Sequence, residues 1–140
     1  MYIWWQMMNK IKISIVISCY YAEQSIAKAV EQTALELDKY DKYTYEFILV
    51  NDGSEDATFH EIQQLSLKYP FVTGIDLAKN CGQHNAILAG MKYADGDYIL
   101  GMDDDFQTRP LQIILKENLS GKRIAGNMLI VLGIICFTLL

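Results

Sequence analysis

The chain is predicted to be an α/β domain: an open, mostly parallel sheet with helices on both faces. Three observations lead there. Short runs rich in β-branched and aromatic residues alternate with segments whose apolar residues recur at helical spacing, the rhythm of right-handed β-α-β crossovers. Three of the apolar runs end in polar clusters, Ser18-Cys19-Tyr20-Tyr21, Asn51-Asp52-Gly53-Ser54 and Asp103-Asp104-Asp105; in open α/β sheets, ligands bind beyond the carboxyl ends of the strands. At 140 residues, 51% hydrophobic and 21% charged, the chain is long enough for one domain with a real core and has no disordered composition.

Ile11 to Ser18 forms the first strand, alternating and then filling with Ile13, Ile15, Val16 and Ile17 as a strand buried on both faces does. The turn through Cys19 to Glu23 leads into a helix reaching about Leu37, with Ile26, Val30, Ala34 and Leu37 as its stripe. A charged loop from Asp38 to Thr44 precedes the second strand, Tyr45 to Val50. Ser54 reads as the N-cap of the second helix, with Glu55 and Asp56 in the first turn, where the dipole favours acids. Thr58, Ile62, Leu65 and Tyr69 mark its inner face, and Pro70 stops it.

Phe71 to Leu77 is the third strand, and Asn80-Cys81-Gly82 turns into a third helix from Gln83 to Ala94. Its inward positions are Ile87, Gly90, Met91 and Ala94, and a glycine among them predicts close helix–sheet packing. After Asp95-Gly96 comes the fourth strand, Tyr98 to Met102. Thr108 and Pro110 open a fourth helix as N-cap and N1, with Leu111, Ile114, Leu115 and Leu119 as its stripe. The parallel strands are expected in the spatial order 3-2-1-4, with Asp52 and Asp103 around the end of the first.

The domain therefore occupies residues 10–121, between an N-terminal extension (1–9) and an apolar tail (122–140). The extension carries Trp4 and Trp5 but no basic region or cleavage site, so it is not a signal peptide. It reads either as a membrane-interface segment or as a stretch upstream of a true start at Met8. The tail, Ile124 to Leu140, has three readings: a short membrane span or interfacial segment, a last core element, or a frame-shifted or truncated end. Lys116, Lys122 and Arg123 would hold the domain on the cytoplasmic face of a membrane.

Charge and cysteine usage exclude other classes. The net charge is −5 and the 12 Lys and Arg residues are scattered, so nucleic acid is not a partner. Cys19, Cys81 and Cys136 form no CxxC motif and suit a reducing cytosol. No GxGxxG follows the first strand, which argues against a dinucleotide-binding domain. Ser18-Cys19-Tyr20 stands where a receiver or related phosphatase keeps an Asp.

The chemistry concentrates at one sheet edge: Tyr20, Tyr21 and Glu23 after the first strand, Asp52 after the second, Asp103 to Asp105 after the fourth. On extended backbone Asp103 and Asp105 point the same way and Asp104 the other. Such a pair suits Mg²⁺ or Mn²⁺, which takes one or two carboxylates and completes its shell with water and phosphate oxygens. Each residue also has a plain structural use, as turn residue or solvated charge. His60 is placed on a peripheral helix face and His84 at the cleft edge, neither as a catalytic base.

At these residues the sequence resembles the family 2 glycosyltransferases. The matching runs are Ile15 to Glu23, Val50 to Asp56, Asn80 to Gly90 and Met102 to Gln107. Within the family, the branch that loads sugars onto polyprenyl phosphates, such as the dolichol-phosphate mannosyltransferases, is the most similar. The resemblance implies a GT-A, Rossmann-like nucleotide-binding half and a metal-dependent transferase. The partners it implies are a UDP- or GDP-linked sugar and a polyprenyl phosphate or glycan acceptor. It implies that Tyr20 and Glu23 line the base and ribose pocket, that Asp52 hydrogen-bonds the base, and that Asn80 and Gly82 shape the wall. Asp103 would lie against the ribose or the metal shell and Asp105 would ligate Mg²⁺ or Mn²⁺, making these two the catalytic pair. The chain departs from the usual family residues at Ser18 (Pro), Tyr21 (Asn) and Ala22 (Glu). The family's acceptor half is expected after about Leu119, where this chain turns apolar; a catalytically inactive, truncated nucleotide-sugar-binding remnant is therefore the alternative.

Overall fold

A computed structural model describes residues 10–104, together with the backbone of residues 129–131 and 134–138. The N-terminal extension, the helix expected from Thr108 and Asp105 lie outside the described residues. The elements are β1 (Ile11–Cys19), α1 (Ile26–Leu37), β2 (Tyr43–Asn51), α2 (Thr58–Lys68), β3 (Val72–Asp76), α3 (Gln83–Met91), β4 (Tyr98–Asp103), β5 (Leu129–Val131) and β6 (Ile134–Thr138).

The sheet order is β3-β2-β1-β4-β6-β5. The pairs β3–β2, β2–β1 and β1–β4 are all parallel, so the 3-2-1-4 order read from sequence is the one observed. β6 then adds antiparallel to β4, and β5 antiparallel to β6. These last two strands lie in the apolar tail. No helix among the described residues is long and apolar enough to cross a membrane.

β1 is central and its residues 13–19 are all buried. Alternation divides them between two layers. Ile13, Ile15, Ile17 and Cys19 pack with Ile26, Val30 and Leu37 of α1 and Ile62 and Leu65 of α2. Val16 faces the other way and joins Ile48, Val50 and Ile99 beneath Ala86 and Ile87 of α3. Helices thus cover both faces, which is why residues 13–19 of β1 can all be buried. Gly90 lets α3 sit close: a Cβ there would lie 2.4 Å from Val16 Cγ1 and 2.9 Å from Val50 Cγ2.

A polar clasp holds the opposite edge of the sheet. Ser14 Oγ donates to Glu46 Oε1 at 2.6 Å and accepts from the Gly96 N–H at 2.8 Å. The Asp95 N–H donates to the same Glu46 oxygen at 3.0 Å. The Lys12 N–H donates to Asp97 Oδ2, and the Asp97 N–H to the Lys12 carbonyl, both at 2.8 Å. The Lys12 ammonium pairs with Asp95 and with Glu46, and the hydrogen bond to Asp95 leads in holding the lysine pKa above its ordinary value. These bonds tie the start of β4 to β1 and so help set where β4 ends.

Several boundaries differ from the sequence reading, among them β2, which begins at Tyr43 rather than Tyr45, and two helix ends with a visible cause. α2 begins at Thr58, four residues after the Ser54 proposed as its cap. Ser54 Oγ instead accepts the Tyr21 N–H at 3.0 Å, and Asp56 Oδ1 accepts the Thr58 N–H at 3.1 Å. α3 stops at Met91 rather than Ala94, because the chain tightens there: the Tyr93 N–H reaches the Gly90 carbonyl at 3.0 Å and the Ala94 N–H reaches that of Met91 at 3.2 Å.

The Gly90 contact predicts that Gly90→Ala is an overpacking substitution costing about 1–3 kcal/mol. Urea titration should show a lower midpoint with an unchanged m-value.

Candidate functional site

Register decides what meets at the carboxyl end of β1. Ser18 lies opposite Asp103 of β4, and Cys19 opposite Asn51 of β2. The residue after each neighbouring strand position then stands beside the β1 exit: Asp52 on one side, Asp104 on the other. An open cleft of about 260 Å³ lies here, lined by Ser18 and Tyr20 from the β1 exit, Asp52, and Asn80, Gly82 and Gln83 from the β3–α3 connection, with Asp103 and Asp104 on the β4 side.

Asp52 is buried, 2% exposed. Its N–H continues the ladder to the Cys19 carbonyl at 2.9 Å, and its Oδ1 accepts the Cys81 N–H at 2.7 Å. A buried carboxylate needs such a donor. Gly53 follows at φ 69°, and a Cβ there would lie 2.3 Å from the Asn80 nitrogen, so a glycine lets the β2 exit press against the 79–81 loop. Asn51 Nδ2 donates to Asp76 Oδ1 at 2.7 Å, joining the ends of β2 and β3.

In the same loop, Asn80 Oδ1 accepts the Gly82 N–H at 3.1 Å. Gly82 enters α3 at φ 87° with open space where a side chain would be. Gln83 Nε2 donates to Asp103 Oδ1. Ser25 Oγ, just before α1, donates to Asp104 Oδ2 at 2.7 Å. Burial pushes the Cys19 thiol pKa well up, and the negative charge of Asp104 adds to the shift.

The structure therefore brings together Tyr20, Asp52, Asn80, Gly82 and Asp103 among the residues singled out in sequence. Glu23 does not line the cleft: its Oε2 accepts the Ala57 N–H at 2.9 Å and so serves the entry to α2. Asp104 does not point away as strand alternation predicted, because β4 ends at Asp103 and Asp104 is already in a turn. Ser18, Gln83 and Asp104 are lining residues that the sequence reading left out of the site. Gln83 and His84 share the first turn of α3, and the signal for Gln83 was its place directly after the Asn80-Cys81-Gly82 turn.

The donors are hard oxygens, and two adjacent carboxylates with room for phosphate oxygens suit Mg²⁺ or Mn²⁺. Among the described residues no group of three or more His, Cys, Asp and Glu could by itself hold a metal ion.

A parallel sheet order of 3-2-1-4 with its polar cleft outside the carboxyl ends of β1, β2 and β4 defines an open α/β domain of the GT-A kind. The chain belongs to glycosyl transferase family 2, which its residues 14–121 match. It is 37% identical over 103 residues to an undecaprenyl-phosphate 4-deoxy-4-formamido-L-arabinose transferase of Proteus mirabilis, covering 73% of this chain and 31% of that protein. The enzyme of the same description from Shewanella sediminis is 38% identical over 102 residues, covering 72% of this chain and 30% of the relative. The chain thus spans about three tenths of the length of these relatives.

Among solved structures, the mannosyltransferase PcManGT from Pyrobaculum calidifontis, in complex with GDP-Man and Mn²⁺, superposes with a TM-score of 0.60 at 17% identity, over 69% of this chain and 28% of that one. TarS 1-349 of S. aureus in complex with UDP-GlcNAc gives 0.55 at 22% identity, over 68% and 27%. At these identities the likeness is one of fold.

The Asp52–Cys81 bond yields a structural prediction. Asp52→Ala leaves the Cys81 N–H without its carboxylate, a loss of about 1–3 kcal/mol where the donor stays dry. Amide exchange at Cys81 should accelerate most, while that of Ile15 and Val16 in β1 should rise only in step with the global loss of stability.

Proposed function

We propose that this chain is the donor-binding part of a family 2 glycosyltransferase that takes a sugar from a nucleoside diphosphate to a polyprenyl phosphate. The observation that carries this reading is the convergence of Asp52, Asp103 and Asp104 on one cleft at the end of β1. Family membership supports the reaction type, and the descriptions of the two relatives, which include undecaprenyl phosphate, support the acceptor class.

In this reading Tyr20 lies against the base and Asp52 accepts a hydrogen bond from it; a carboxylate has about four acceptor sites, and one is taken by Cys81. Asn80 and Gly82 form the wall beside Asp52, and the empty space beside Gly82 admits the ligand closely. Asp103, Asp104 and the following Asp105 would hold Mg²⁺ or Mn²⁺. Bound there, the ion supplies positive charge that stabilises the leaving nucleoside diphosphate. Gln83 and Ser25 orient Asp103 and Asp104 through neutral donors. The acceptor phosphate is already anionic, so no side-chain base is required to activate it. Because that acceptor is a membrane lipid, the chain works at a membrane surface.

The second reading is a nucleotide-sugar-binding module without turnover of its own. Transfer of radiolabelled sugar to polyprenyl phosphate by the purified chain distinguishes the two.

Calorimetric titration of UDP and GDP tests the site. Binding should strengthen with Mn²⁺ or Mg²⁺ and weaken with chelator. Asp103→Ala and Asp105→Ala should each remove most of that dependence, and Asp104→Ala should reduce it, since its carboxylate lines the cleft. Asp52→Ala should weaken the nucleotide by about 1–3 kcal/mol and preserve the metal effect. Equal affinity with and without metal would sink the metal role; absence of nucleotide binding would sink the donor-site assignment.

A further inference from the structure

Tyr21 is the only non-glycine residue at positive φ among the described residues, at 52°. Left-handed backbone is unfavourable for a bulky side chain, and such conformations gather at ligand clamps and switch regions. Two bonds maintain it here. The Tyr21 N–H donates to Ser54 Oγ at 3.0 Å, and the next N–H, of buried Ala22, donates to Thr58 Oγ1 at 2.8 Å. Both acceptors follow β2 closely, so the turn is braced against the segment that leaves Asp52.

The conformation has a visible consequence. On extended backbone, consecutive side chains point to opposite sides. Here the rings of Tyr20 and Tyr21 meet edge to face, with centroids 4.7 Å apart and planes at 72°. Neither ring serves the core: Tyr20 is 49% and Tyr21 53% exposed. Tyr20 lines the cleft, and Tyr21 packs against its ring. A strained turn that assembles two exposed aromatic rings beside a cleft has no use in packing and a direct one in holding a flat ligand.

We propose that Tyr21 is a positioning residue for the base end of the nucleotide site: its ring fixes the plane of Tyr20, which then serves as a platform for an aromatic base. The inference rests on the nucleotide reading above. It separates the site into a base end that depends on Tyr21 and a phosphate end that does not.

The test uses the full chain and its Tyr21→Phe and Tyr21→Asn variants. UDP, GDP and inorganic pyrophosphate are titrated in the presence of Mn²⁺, and Tm is measured alongside. Phe keeps the ring and should keep nucleotide affinity. Asn tolerates the left-handed region, so Tyr21→Asn should raise Tm while lowering nucleotide affinity about 2- to 10-fold, the range of an aromatic pair. Pyrophosphate affinity should not change in either variant. Equal nucleotide affinity in Tyr21→Asn and the unsubstituted chain would overturn this inference alone. A parallel fall in nucleotide and pyrophosphate affinity, with a lower Tm, would mark a structural role and overturn it as well. An unsubstituted chain that binds pyrophosphate but neither nucleotide would overturn the donor-site reading and this one with it.

Discussion

The site depends on the parallel pairing of β1 with both β2 and β4. Ile15 stands opposite Phe47 on one side and Leu100 on the other, and the same registers run on to Cys19↔Asn51 and Ser18↔Asp103. A one-residue slip in either pairing would exchange the faces of a strand. For β1 that would place Ile15 and Ile17 against α3 and Val16 against α1 and α2, in layers built for different side-chain volumes. The apolar core thus holds the register, and the register sets three carboxylates around one strand end.

That arrangement is electrostatically demanding, and each of the three carboxylates accepts a hydrogen bond from a neutral donor. Asp52 is buried and receives the Cys81 N–H; Asp104 receives the Ser25 hydroxyl and Asp103 the Gln83 amide. The lysine ion pairs of the described residues lie elsewhere, at Glu46 and Asp95, at Glu36 and at Glu31. Hydrogen bonds from neutral groups orient these carboxylates at the end of β1.

The strands were legible because β-branched, two-sided burial leaves a plain mark in β1 and β2, and because Gly90 could only be inward if helix and sheet came close. Asp52 and Asp103 were legible for a related reason: each follows a readable strand, and the topology carries strand ends to one edge. What spacing could not show were contacts made between distant loops. Glu23 looked like a cleft residue at the end of β1, yet its partner is the Ala57 N–H, 34 positions away. Ser54 had the chemistry of a helix cap, but Tyr21 claimed its oxygen. Asp104 was misassigned through alternation, a rule that holds within a strand and lapses at the first turn residue.

Those same loop contacts divide into two kinds, and the division bears on how the cleft meets a ligand. Tyr21 to Ser54, Ala22 to Thr58, Ala57 to Glu23 and Cys81 to Asp52 each join a backbone N–H of one loop to a side-chain oxygen of another. They order the walls before anything binds, and ordering achieved in the free protein is not charged against affinity. Gln83 to Asp103 and Ser25 to Asp104 are different, since both join side chains and both occupy carboxylate oxygens that face the cleft. A ligand can draw on those oxygens, or replace one of their donors, by turning a side chain and without moving the main chain. Rigidity resides in the backbone braces and adaptability in the carboxylate contacts, so the adjustment on binding is confined to the acidic side of the cleft.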